Sequence, residues 1–218
     1  MKLPLDYKLP SLFFGNFFCL IPNTNAAFVV ISKNACSFLK KVAIYNDTNE
    51  WVTTSKAHDI IGYSAKSNYL VPISKMKKYE EKNGALVKFA IWRDPIDRIA
   101  STYKLFCLER EYRAYFHYLG INENISFERF KDFMMFEWNK KSAVNQDEHI
   151  RRQVDYYKLR DVDHVISIDS LYPFLDNNNI KFKKEKSNKT NVAFEIVKEE
   201  DLAIIKAYYK ADYRIRLK

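Results

Sequence analysis

The chain has 218 residues and is 47% apolar, with 16 Phe and 15 Tyr, so it can bury a sizeable core and lacks the composition of a disordered segment. Its formal charge of +9 favours an anionic partner: a nucleotide, an acidic glycan, nucleic acid or a membrane surface. Four glycines (Gly15, Gly62, Gly84, Gly120) are too few for a Gly-rich phosphate loop, and three scattered cysteines (Cys19, Cys36, Cys107) argue against a disulfide framework or a zinc site.

The length suits one domain spanning 1–218, and sparse, unpaired thiols suit a cytoplasmic enzyme. Residues 11–22, SLFFGNFFCLIP, form an apolar patch broken by Gly15, Asn16 and Pro22. At about half the ~20 residues needed to cross a bilayer, it reads as a packed N-terminal segment without stable membrane insertion. AAFVVIS (26–32) is rich in β-branched residues and predicts a buried strand, followed by a helix over about 36–45. Residues 46–80 are polar and irregular.

ALVKFAIW (85–92) predicts a second buried strand, running into RDPIDRIASTYKLF. There Asp94 fits an N-cap, Pro95 the first helical position, and Ile96, Ile99, Ala100 and Tyr103 keep helical spacing. Ser126 caps a helix with Phe127, Phe130, Met134 and Trp138 on one face; a further helix is expected over 146–159. DHVISI (163–168) is a third strand, SLYPFL a helix or turn, 181–189 a lysine-rich loop, and 198–211 a closing helix. Strands alternating with helices imply an α/β fold, a three-layer sandwich about a mainly parallel sheet, with ligands bound where strand ends meet helix starts.

Two such junctions carry chemistry. In Ile31-Ser32-Lys33-Asn34-Ala35-Cys36-Ser37, a strand end turns into a helix start, where unpaired N–H groups and the helix dipole attract an anion. Small side chains at Ala35, Cys36 and Ser37 let the backbone approach, and Lys33 adds a mobile point charge. In the second, Arg93 closes a strand, and Arg98 and Ser101 share a face of the next helix; guanidinium and hydroxyl suit a second phosphate.

SKNACS and RDPIDRIASTY resemble the two signature loops of the 3′-phosphoadenylyl sulfate (PAPS)-dependent sulfotransferases, in particular the carbohydrate, sulfotransferase-2, branch, which read roughly Pro-Lys-x-Ala-Cys-Thr/Ser and Arg-Asp-Pro-x-x-Arg-x-x-Ser-x-Tyr. Asp147 to Gln153 is similar to the family's His-Trp-x-Pro-Gln segment, with Ile150 and Arg152 departing from it. Asp163-His164-Val165 with Leu171, and Tyr209-x-x-Asp212-Tyr213, are similar to two later segments. The order matches over about 26–214; Ser32 replaces the usual proline before the lysine.

The resemblance implies a P-loop NTPase-like sulfotransferase fold and metal-independent, in-line transfer of a sulfuryl group from PAPS to a hydroxyl of a carbohydrate. Lys33, Asn34, Ala35, Cys36, Ser37 and Phe38 would wrap the 5′-phosphosulfate, with Lys33 stabilising the leaving oxygen, and Arg93 and Ser101 would hold the 3′-phosphate. His58 is the first candidate for the base, since relatives place a His or Glu after the first helix; Glu50 is the acidic alternative. His149 is the second histidine candidate and, with Arg152, would meet the acceptor. Lys189 and Thr190 would lie near the nucleotide, and His117 and His164 would be structural. Two rivals stand beside this: a P-loop-like kinase, which needs a Gly-Lys-Ser/Thr that the chain lacks, and a nucleic-acid-binding module, whose stacking aromatics here fall at core spacing.

Overall fold

The computed structural model describes residues 16–62, 66–108, 126–185 and 197–215. Among them are five strands: β1 (Phe17–Ile21), β2 (Ala26–Val29), β3 (Leu70–Pro72), β4 (Val87–Trp92) and β5 (His164–Ser167). Seven α-helices accompany them: α1 (Cys36–Thr48), α2 (Thr54–Ile61), α3 (Met76–Asn83), α4 (Pro95–Tyr103), α5 (Phe127–Trp138), α6 (Leu171–Asn177) and α7 (Glu199–Tyr208). No described helix is long and apolar enough to cross a membrane.

The strands form one sheet in the order β3-β1-β2-β4-β5. The three strands expected from sequence make its parallel half: β2 pairs β4 with Phe28 beside Phe89, and β4 pairs β5 with Ala90 beside Val165. The other half is antiparallel, so the sheet is mixed rather than mainly parallel. The apolar stretch before Pro22 is the reason. It doubles back on β2 through a turn in which Asn23 adopts φ 58°, and β3 then adds to its free edge.

Alternate residues of the buried strands face opposite layers. Phe17, Cys19, Ile21, Phe28, Phe89 and Ile91 pack against α1, α2 and α6; Phe18, Ala27, Val29, Ala90 and Val165 pack against Met76 of α3 and against Tyr156, Tyr157 and Val162. A separate cluster joins α4, α5 and α7 through Ile99, Tyr103, Phe130, Met134 and Ile205. Each fully buried side chain of this size contributes roughly 1.5–3 kcal/mol.

The helix expected over 146–159 does not form. A single turn at Asp147 gives way to short 3₁₀ turns at Gln153–Asp155 and Leu159–Asp161. The backbone groups that a helix would consume are taken by tertiary partners. The Arg98 guanidinium donates to the carbonyls of Glu148 and Arg151, and the Asp212 carboxylate accepts from the N–H groups of Gln153 and Val154. Charge-assisted bonds of this kind outweigh weak helix propensity.

Candidate active site

The loop between β2 and α1 solves a steric problem without glycine. Lys33 and Ala35 both take the left-handed conformation, at φ 68° and 57°, which for residues with a Cβ costs on the order of 1–3 kcal/mol each. Ala35 is the N-cap of α1 and supplies no side-chain cap; the first intrahelical bond runs from Leu39 N to Ala35 O at 2.9 Å. The N–H groups of Cys36, Ser37 and Phe38 therefore have no acceptor within the helix. A left-handed residue followed by a helical start turns such donors into a concave anion nest.

The strain is held by side chains from neighbouring elements. Asn34, buried, donates through Nδ2 to the carbonyl of Ile91 and to Oε1 of Gln153. Arg93 Nη1 donates to Lys33 O at 2.9 Å, and Arg98 Nε to Ser32 O at 2.9 Å. Gln153 also receives the N–H of Arg93 and donates to its carbonyl, so one amide fastens the two junctions to each other. Asp212 in turn holds Gln153 and Val154, and the Tyr209 hydroxyl donates to Ile150 O.

At the second junction the cap expected from sequence is present. Asp94 Oδ1 accepts from Ile96 N at 2.8 Å, ahead of Pro95. Arg93 is partly buried and, among the described residues, is bonded to a carbonyl and not to a carboxylate. Burial pulls its pKa down, the signature of a cation that an incoming anion would relieve. Ser101 is half-buried on α4, about 9 Å along the helix from its first residue. Arg98 is a different matter. Only 1% exposed and bound to three carbonyls, it is the clamp between the first loop and the 148–151 turn, so the sequence-based pairing of Arg98 with Ser101 at a phosphate does not hold.

Two histidines lie near the first loop in contrasting settings. His58 Nε2 is 2.9 Å from Ser37 Oγ, and its Nδ1 is 3.3 Å from Nζ of the fully buried Lys40. Burial, and then the Lys40 charge, push its pKa down to about 4. His149 stands on the turn that Arg98 clamps. Its Nδ1 is 3.0 Å from Asp147 Oδ1, its Nε2 is 3.9 Å from Glu148 Oε1, and its ring packs edge-on against Phe106. Burial raises the pKa of Glu148.

A model of the sulfotransferase family matches residues 18–160, which contain both junctions and both histidines. The chain belongs to the sulfotransferase family. No curated protein and no solved structure matches it.

Membership makes the chain a transferase of sulfuryl groups. The sulfotransferase brings Lys33, Asn34, Ala35, Cys36, Ser37 and Arg93 into one neighbourhood through Gln153 and Arg98. Phe38 contributes only its N–H there, because its ring packs with Trp51, Tyr172 and Phe182. Arg152 is held by both oxygens of Asp155, at 2.8 and 3.0 Å, which leaves its guanidinium committed within its own turn. Glu50 is exposed beyond the far end of α1, near Lys56, and His164 packs on Phe174 within the fold. The exposed lysines 181, 183 and 184 flank Phe182, while Lys189, Thr190 and His117 lie outside the described residues.

Sequence reasoning missed Lys40, Gln153 and Asp212 as parts of the site. The last two carried a signal. They are the Gln of the His-containing segment and the Asp of the closing Tyr-x-x-Asp, and the structure joins these distant segments to Asn34 and Arg93.

Proposed function

We propose that this sulfotransferase moves a sulfuryl group from PAPS to a hydroxyl of a carbohydrate acceptor. One observation carries the assignment of the donor: Gln153 locks an uncapped, lysine-bearing helix start beside a strand-end arginine that has no described carboxylate partner. PAPS has two anionic ends, a 5′-phosphosulfate and a 3′-phosphate, and each junction suits one of them. Lys33 with the N–H groups of Cys36, Ser37 and Phe38 receives the first; Arg93 and Ser101 receive the second. The carbohydrate acceptor rests on the likeness of SKNACS and RDPIDRIASTY to the carbohydrate branch and on the chain's net positive charge.

In the transfer, an acceptor oxygen forms a bond to sulfur as the bridging S–O bond breaks in line. The electron pair of that bond passes to the 5′-phosphate oxygen of adenosine 3′,5′-bisphosphate. Lys33 and the helix start stabilise the charge that grows on this oxygen, an effect worth more in a partly desolvated cleft than in water. The acceptor proton goes to His149 rather than to His58, the first choice from sequence. With Nδ1–H held by Asp147, His149 keeps its Nε2 lone pair available, whereas both nitrogens of His58 are already engaged.

The test is release of adenosine 3′,5′-bisphosphate from PAPS with an oligosaccharide acceptor, followed against pH. His149→Asn is expected to lower kcat by about 10²- to 10⁴-fold, with nucleotide affinity retained. A His149→Asn enzyme that turns over at the wild-type rate would remove His149 from the chemistry.

A further inference from the structure

We propose that Lys40 and His58 form a buried positioning pair that aims the Ser37 hydroxyl at the bound phosphosulfate. Neither residue needs to touch substrate. An ammonium can only donate, so the 3.3 Å contact from Lys40 Nζ makes Nδ1 of His58 the acceptor nitrogen. The single proton of the neutral ring then sits on Nε2, which donates to Ser37 Oγ at 2.9 Å. With a lone pair so occupied, Ser37 keeps its O–H to give away.

The surroundings enforce this order. Lys40 is one turn beyond Cys36 on α1, is fully buried, and is anchored by a second bond to Gly62 O, where α2 ends. His58 is on α2, so the chain of bonds ties the back of α2 to the second residue of α1. Ser37 is half-exposed at the helix start whose N–H groups have no intrahelical acceptor. The charged groups facing His58 are Lys40 from α1, Asp59 from its own helix and His149 from the 147–151 turn. Burial and the Lys40 charge outweigh Asp59, and the ring stays neutral at working pH. A neutral ring is required, because an imidazolium would have no lone pair for Lys40.

That neutrality leaves its own mark on stability. His58 shifts from its usual 6.5 to about 4 in the folded chain. Between these values the unfolded chain binds a proton that the folded chain refuses, so stability falls as pH drops through this window and levels off below it. His58→Gln removes that dependence.

The pair has this purpose only if the anion at the start of α1 is the phosphosulfate of PAPS, as proposed above, and the experiment separates the two ideas. Titration of adenosine 3′,5′-bisphosphate and steady-state rates with PAPS are measured for wild type, Ser37→Ala, His58→Ala, His58→Gln and the double variant Ser37→Ala/His58→Ala. Loss of the hydroxyl bond is expected to lower kcat/KM for PAPS by at least about tenfold in Ser37→Ala and in His58→Ala. The double variant should be no worse than Ser37→Ala alone, since both changes remove one interaction. His58→Gln, whose amide can both accept from Lys40 and donate to Ser37, should return to within a few-fold of wild type, with the acid limb of the rate profile intact. Multiplying losses in the double variant, or a Gln variant as poor as Ala that has also lost the acid limb, would overturn the positioning role and make His58 the base. A wild-type protein that binds no adenosine 3′,5′-bisphosphate would instead overturn the donor assignment.

Discussion

Lys33→Ala is expected to reduce kcat with PAPS by about 10²- to 10³-fold, while the dissociation constant for adenosine 3′,5′-bisphosphate changes only a few-fold. The asymmetry follows from where the charge appears. Before transfer the phosphosulfate is spread over several oxygens and is already met by three backbone N–H groups. During transfer, negative charge concentrates on the bridging oxygen, and a flexible ammonium can follow it. The substitution keeps the loop. Lys33 contributes to the scaffold through its carbonyl, which Arg93 binds, and alanine occupies the same left-handed conformation two residues later at Ala35. Steady-state kinetics beside equilibrium titration decides the matter. A loss of nucleotide affinity as large as the loss of kcat would mean that Lys33 binds the ground state and has no special part in the transition state.

Arg93→Ala should show the reverse pattern, weakening adenosine 3′,5′-bisphosphate by at least about 30-fold (~2 kcal/mol). Its guanidinium is partly desolvated; among the described residues it donates to Lys33 O, and the Asp97 and Asp94 charges offset only part of the burial. A 3′-phosphate would complete it by charge-assisted bonds whose fork geometry lysine cannot copy, so Arg93→Lys should recover only part of the loss. Because Arg93 also steadies the first loop, a smaller fall in kcat accompanies the change. Adenosine 5′-phosphate, which lacks the 3′-phosphate, provides the control. Its binding should be weak to the wild type and nearly indifferent to Arg93→Ala. Equal losses for both nucleotides would place Arg93 at the 5′ end.

The parallel half of the sheet and both strand-to-helix junctions were legible because each is written locally. Apolar runs mark β2 and β4, and the Arg93-Asp94-Pro95 junction spells out a strand end, an N-cap and a first helical residue within three positions. What escaped was written at a distance. β1 reads as an apolar patch until its antiparallel pairing with β2 is known, and the 146–159 stretch has helical composition but spends its carbonyls on Arg98. The role of Arg98 was misjudged for the same reason. Its spacing to Ser101 is right for a shared ligand, but helical spacing does not reveal that its side chain is swallowed by three carbonyls from Ser32, Glu148 and Arg151. His58 was found, and its partner Lys40 was not, since a lysine at a helical core position reads as solvated until burial is seen.

The absence of glycine from the first loop also has a physical answer. Arg93, Arg98 and Gln153 bond to Lys33, Ser32 and Asn34 and hold the loop in the left-handed turns that glycine would adopt unaided, so the cradle is kept by tertiary contacts and not by local backbone freedom.

Calorimetric titration of the protein with adenosine 3′,5′-bisphosphate, with ATP as the control, tests the assignment of the donor most directly. The two junctions locked by Gln153 predict tight, one-to-one binding of the bisphosphate that is lost in Arg93→Ala, and little response to ATP. Preferential binding of ATP, or of neither nucleotide, would contradict the assignment of these loops to the two ends of PAPS.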